Sequence, residues 1–177
     1  GICAGLESAT AIGDVILAET VWHWQAGKLS GDGHLAANPH QIHVNDLVTS
    51  RFRHLAGQVE LWQGMFDSFA GNKPNNIPKG LTGPVATSES VIASSTAWPA
   101  IRAQNRKAIG IEMEAYGLYA AGLWAAHPRP IASFALKAVC DFGDEGKDDS
   151  YQQYAAYTSA QATKAVTEAI LAELSTS

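Results

Sequence analysis

Charge is scarce in this sequence, and so is cysteine. Only 16% of its 177 residues are Asp, Glu, Lys or Arg, and 12 basic side chains stand against 17 acidic ones, a formal charge of −5. A chain so balanced has no general basic field to hold a phosphate backbone, which sets nucleic-acid binding aside and leaves room only for a local basic patch. Two cysteines, Cys3 and Cys140, are too few for a disulfide framework, so a reducing compartment, the cytoplasm, is expected. No apolar run reaches the ~20 residues of a membrane span. No basic segment leads into an apolar stretch, so no signal peptide is read. Repeats and low-complexity tracts are missing, which excludes a solenoid. The histidines form no His-x-x-x-His pair and no cysteine cluster accompanies them, so no metal site is expected. His34, His40 and His43 read instead as surface-loop residues.

What is present is a globular balance. Hydrophobic residues make up 46% of the chain, enough for a core in one domain spanning residues 1–177. Apolar strands alternate with helical stretches, which indicates an α/β domain. Residues 14–19 (DVILAE) have strand character. Residues 25–45, punctuated by glycines, read as a long loop. Residues 46–60 carry apolar side chains near helical spacing, with Asn45 as cap. Residues 71–80 (GNKPNNIPKG) form a loop inside the domain. A strand follows over 83–93, running into small polar residues. Residues 111–126 read as a helix ended by His127-Pro128. The nearly all-apolar run 131–140 (IASFALKAVC) marks a strand covered on both faces. Ser150 with Gln153 has the form of a capping box, and apolar residues from Tyr151 to Leu174 recur at three- and four-residue steps, predicting a long amphipathic helix.

Three places can carry chemistry. Asp141 directly follows the most buried-looking strand, and in open α/β sheets ligands bind beyond the carboxyl ends of strands. An acid there can deliver a proton to a leaving group; the simpler reading is an Asp-x-Gly turn closed by Gly143. Glu112-Met113-Glu114 places two acids at i and i+2, which on a helix face different sides and so do not form a dyad. One such carboxylate can accept from both hydroxyls of a ribose diol; the plainer role is charge compensation in a first helical turn. Gly1 to Gly5 lets backbone approach a ligand. Trp22 and Trp24 read as core or interface residues, and Arg102, Arg106 and Lys107 as a solvated face.

In order, the segments GICAG, GDVILAE, GPVATSESVIA, GIEMEAYGLYAAG and KAVCDFGD resemble the landmarks of the purine nucleoside phosphorylase and methylthioadenosine/S-adenosylhomocysteine nucleosidase superfamily, from residue 1 to the final helix. The resemblance implies a three-layer αβα sandwich of the nucleoside phosphorylase type with a mixed central sheet, lacking its first strands. It implies cleavage of the N-glycosidic bond of a purine nucleoside or nucleotide. Asp141 matches the acid that protonates purine N7. Glu114 matches the carboxylate that binds the ribose hydroxyls and Met113 the residue against the sugar, with Glu112 beside them. Val91 and Ile92 match the pair bordering the base, and Ala4 and Gly5 the backbone near the nucleophile. No cofactor is implied. A homodimer or larger homo-oligomer is, for which Trp22, Trp24, Trp62 and Trp124 offer apolar surface.

The sequence also departs from the family. Cys140 stands where the nucleosidases usually have Ser, and Val91 where an aromatic is common, so methylthioadenosine is not assumed as substrate. CDFGDEGKDD with the YQQYAAYTSA helix resembles a less-characterised bacterial branch often joined to signalling or effector modules. The sequence enters the family pattern after the segments that supply the phosphate site in phosphorylases and the water-activating carboxylate in nucleosidases. The expectation is thus a leaving-group half of a site. Water is the favoured nucleophile; phosphorolysis and a non-catalytic nucleoside-binding or effector module are the alternatives.

Overall fold

The computed structural model describes residues 1–31 and 35–175; the loop reading of His34 falls outside them. Among the described residues the elements run β1 (Ile2–Gly5), β2 (Val15–His23), β3 (Gly27–Leu29), β4 (Leu35–Ala37), β5 (Gln41–His43), α1 (Asp46–Ala56), α2 (Val59–Ser68), β6 (Gly80–Thr87), α3 (Ala97–Gln104), β7 (Gly110–Glu112), α4 (Ala115–Trp124), β8 (Leu136–Asp141) and α5 (Gln152–Leu174).

The central sheet is mixed, in the order β5-β2-β6-β7-β1-β8. Parallel pairs join β2 to β6, β6 to β7 and β1 to β8, and antiparallel pairs join β1 to β7 and β5 to β2. A further antiparallel pairing of β8 with β2 brings the sheet round on itself. Helices α1, α2 and α5 pack together in one layer against it, and α4 lies against β2, β5 and β6. This is the expected α/β sandwich with a mixed sheet. β2 and β8 are covered on both faces, and Val15, Ile16, Leu17, Val139 and Phe52 lose all contact with water. A second cluster gathers Trp22, Ala86, Trp98, Ile101 and Ile111 beneath α3.

Several boundaries differ from the sequence reading. The glycine-rich stretch 25–45 carries the antiparallel pair β3–β4 and the edge strand β5 rather than a plain loop. The helix expected over 46–60 is two helices. Asn45 accepts from the Leu47 N–H at 2.7 Å to start α1, and Gly57 ends it by donating to the His54 carbonyl. The helix expected from Ile111 begins only at Ala115, because Gly110–Glu112 pairs with β6 and β1. Three residues are too few for periodicity to separate strand from helix. The capping box does not form: the Ser150 N–H donates to Asp148 Oδ1 at 2.8 Å, an Asx turn that competes for the same group, and α5 starts two residues later. Its buried face of Tyr154, Ala155, Thr158, Ala162, Val166 and Ile170 keeps the expected spacing.

The tryptophans divide. Trp22 and Trp62 are core residues, whereas Trp124 is 64% exposed and stacks on His40. His43 bonds the Thr20 hydroxyl at 2.9 Å. Arg102 donates to the Arg106 carbonyl, a local surface contact.

Candidate active site

The strands β1, β7 and β8 run side by side, and their ends open on one cavity of about 380 Å³. Asp141 closes β8, the strand that burial on both faces fixes most firmly. The chain then reverses through Gly143, at φ +65°, where a side chain would be strained and a Cβ would stand 3.1 Å from that of Ala4. The turn bond anticipated as the simpler reading is made: Asp141 Oδ1 accepts the Gly143 N–H at 2.8 Å. The other oxygen serves the cavity. Oδ2 accepts from Lys147 Nζ at 2.9 Å and from the Cys140 thiol at 3.2 Å. Cys140 thus stands as a donor to the carboxylate in the manner of a serine. Burial, and then the charge of Asp141, push its thiol up to about 12, so it stays protonated. Cys3 is also buried, and both cysteines are free thiols.

The opposite wall is built by β7 and the start of α4. Glu112 is wholly buried and saturated with donors. Its Oε1 accepts from Thr87 Oγ at 2.5 Å, and its Oε2 from the N–H groups of Glu114 and Ala115, each at 2.8 Å. It therefore caps α4 from the strand before it. Lys137 Nζ, 2.8 Å from Glu112 Oε2, also bonds Glu114. Burial works against the lysine's charge, but the two carboxylates outweigh it and hold the ammonium above its ordinary value. Glu114 is the free end of this array, with a side chain 71% exposed.

Two ties hold the segment after β6 across the cavity mouth. Glu145 accepts from the Ser95 N–H at 3.2 Å and hydroxyl at 3.1 Å. Trp98 Nε1 donates to the Phe142 carbonyl at 3.0 Å. They set Val91 and Ile92 along the rim, where Val91 remains 65% exposed.

Of the residues singled out in the sequence, Asp141, Glu114, Met113, Glu112, Val91, Ile92 and Ala4 line this one cavity. Gly5 does not. A Cβ there would fall 2.2 Å from Thr10 Oγ and 2.8 Å from Val139, so its bareness serves close packing of β1 instead. Two lysines escaped the sequence reading. Lys137 sits within an apolar strand, and Lys147 is a lone cation among acids in DEGKDD; each is a charge out of keeping with its surroundings.

A family model, the phosphorylase superfamily, matches residues 1–172. The chain belongs to this superfamily. Among its relatives is an uncharacterized protein, y4jS, of Sinorhizobium fredii, 30% identical over an alignment of 167 residues that covers 90% of this chain and 39% of that protein. The ATP nucleosidase Cap17 of Escherichia coli is 24% identical over 172 residues, 90% of this chain and 33% of Cap17. This member of the superfamily thus spans a third to two-fifths of the length of those relatives. Among solved structures, the 5′-methylthioadenosine/S-adenosylhomocysteine nucleosidase of Neisseria meningitidis, in complex with methylthio-immucillin-A, superposes with a TM-score of 0.67 at 18% identity, covering 96% of this chain and 67% of that one. The futalosine hydrolase of Helicobacter pylori gives 0.66 at 15%, covering 95% and 65%. At these identities the two structures establish a shared fold. Among the described residues no helix is long and apolar enough to cross a membrane.

Proposed function

We propose that this chain carries the leaving-group side of an N-glycosidase site that cleaves purine nucleosides or nucleotides with water as nucleophile. The supporting observation is one of convergence. Asp141 from the end of β8, Glu114 from the start of α4 and the apolar Val91 and Ile92 line the same cavity, although they lie far apart in the chain. Rupture of the bond between C1′ and the base nitrogen leaves positive charge on the sugar and negative charge on the base. Asp141, in its protonated form, delivers its hydrogen to N7 and neutralises the departing base; such acid assistance is typically worth roughly 10²–10⁴-fold. Glu114, exposed to the cavity while paired with Lys137, accepts from the ribose hydroxyls and fixes the sugar for attack. Met113 packs against the sugar, and Val91 and Ile92 border the base. Relatives acting as nucleosidases, such as the ATP nucleosidase Cap17, agree with this reading.

Chromatography of free bases released from a panel of purine nucleosides, methylthioadenosine and ATP tests it. Release that Asp141→Ala abolishes is the expected result. Undiminished release by that variant refutes the role of Asp141, and turnover that requires phosphate and yields ribose 1-phosphate replaces hydrolysis with phosphorolysis.

A further inference from the structure

Asp141 accepts three hydrogen bonds and donates none. That is the pattern of a carboxylate, whereas a base needing a proton at N7 requires the acid. Of its three donors, the Gly143 N–H belongs to the backbone of the turn, and the Cys140 thiol sits in a buried strand with a second acceptor, the Cys3 carbonyl, at 3.4 Å. Lys147 differs from both. It sits on the loop between β8 and α5, lines the same cavity, and already has another carboxylate within reach: its Nζ is 3.4 Å from Asp149 Oδ1, whose side chain is 76% exposed. A long flexible side chain between two acids, one buried and one in water, has two resting places and a short path between them.

We propose that Lys147 is the positioning residue for Asp141: it holds the carboxylate charged and oriented until a purine arrives, then transfers to Asp149, so that purine binding takes up one proton from solvent. The inference rests on the reading of Asp141 as the acid that serves the base. The charges balance. Before binding, Asp141 and Asp149 are anionic and Lys147 is cationic; afterwards Asp141 carries the added proton, facing N7, and the Lys147–Asp149 pair remains. Cys140 and Cys3, the thiols beside Asp141, are buried, held protonated and contribute no charge; Asp144, Asp148 and Tyr151 line a recess with Asp141 and Lys147, and Glu112 and Glu114 face Asp141 across the cavity. When the glycosidic bond breaks, the proton leaves Asp141 with the base, the attacking water gives its hydroxyl to C1′ and its proton to solvent, and Lys147 returns to the carboxylate.

The test is calorimetric titration with the carbocyclic analogue of adenosine or inosine, whose N7 carries only a lone pair and whose base cannot leave, between pH 6 and 9 and in two buffers of different ionisation enthalpy. About one proton is expected to be taken up, with affinity falling about tenfold per pH unit on the alkaline side. Lys147→Met is expected to bind the analogue roughly tenfold or more tightly at pH 7, since an adjacent cation favours the charged carboxylate and its removal makes the protonated acid easier to reach. Lys147→Arg keeps the wild-type profile. Asp149→Asn, an exposed change, weakens binding roughly two- to fivefold, as expected for a surface ion pair. Wild-type binding with no proton uptake, a measurement that needs no variant, overturns the role of Lys147 alone. So does an affinity unchanged in Lys147→Met. A wild type that binds no purine and releases none removes the underlying reading of Asp141, and this one with it.

Discussion

Two lysines meet acids at opposite walls of one cavity, and the pairs are built differently. Lys137 belongs to β8 and is 7% exposed; its partner Glu112 has no exposed side-chain surface and is also held by Thr87 and two backbone N–H groups. Lys147 belongs to a loop, is 20% exposed, and shares itself between Asp141 and Asp149. A charge pair sunk in a strand, with each remaining lone pair occupied, can only be kept or broken. A pair whose cation can step toward water can be exchanged. The Glu112 side therefore acts as a frame that fixes the start of α4, and with it Glu114, while the Asp141 side holds the group that changes its protonation state in the proposed reaction.

The sharpest way to break that distinction is at its ends. Asp141→Asn is expected to lower kcat for base release by about 10²–10⁴-fold while leaving the melting transition near that of the wild type, because the amide keeps its oxygen for the Gly143 N–H. A variant that unfolds instead makes Asp141 part of the frame. Lys137→Met is expected to act the other way. It strands Glu112 as an uncompensated buried charge, and losses of about 3–5 kcal/mol attend such changes. Urea titration with unchanged m-value checks this; a loss below about 1 kcal/mol puts Lys137 in the same class as Lys147.

The same contrast explains what could be read in advance. Asp141 was legible because its surroundings are local: an apolar strand before it and an Asp-x-Gly turn after it. The long helix α5 was legible because its buried face repeats over many turns. Glu112 was assigned to the wrong element because β7 is three residues long and draws its strand character from β6 and β1, which lie elsewhere in the chain. The pairing of β3 with β4 was hidden by the glycine that permits it: a Cβ at Gly27 would collide with the Ala36 carbonyl, a contact that exists only once the strands pair. Lys147 was invisible for a related reason. A lone lysine among aspartates reads as solvated, and only the turn at Gly143 brings it back to the residue six positions before it.

The frame also has a signature in pH. Lys137 is held above its ordinary value of 10.5 in the folded chain, burial being outweighed by Glu112 and Glu114. A group whose folded value is raised contributes stability in full below its unfolded value, and that contribution is lost as pH rises through the folded one. Wild-type stability is thus expected to fall above about pH 10.5 more steeply than that of Lys137→Met, the difference being the proton that Lys137 retains. Parallel slopes in urea titrations from pH 9 to 11.5 count against the buried pair.

The smallest effect belongs to Cys140. Its thiol reaches Asp141 Oδ2 at 3.2 Å and the Cys3 carbonyl at 3.4 Å, a single proton before two acceptors. Cys140→Ser supplies a stronger donor in a slightly smaller side chain, and the net worth of one such hydrogen bond is about 0.5–1.5 kcal/mol. If the hydroxyl turns to Asp141, it favours the carboxylate form and opposes the proton uptake proposed for purine binding. If it turns to the Cys3 carbonyl, nothing at the acid changes. Base release by Cys140→Ser is therefore expected to stay within about tenfold of the wild type, with any loss in kcat/KM growing toward alkaline pH, where protonating Asp141 is hardest. A loss that is larger, or equal at every pH, transfers Cys140 from the exchangeable side of the cavity to its frame.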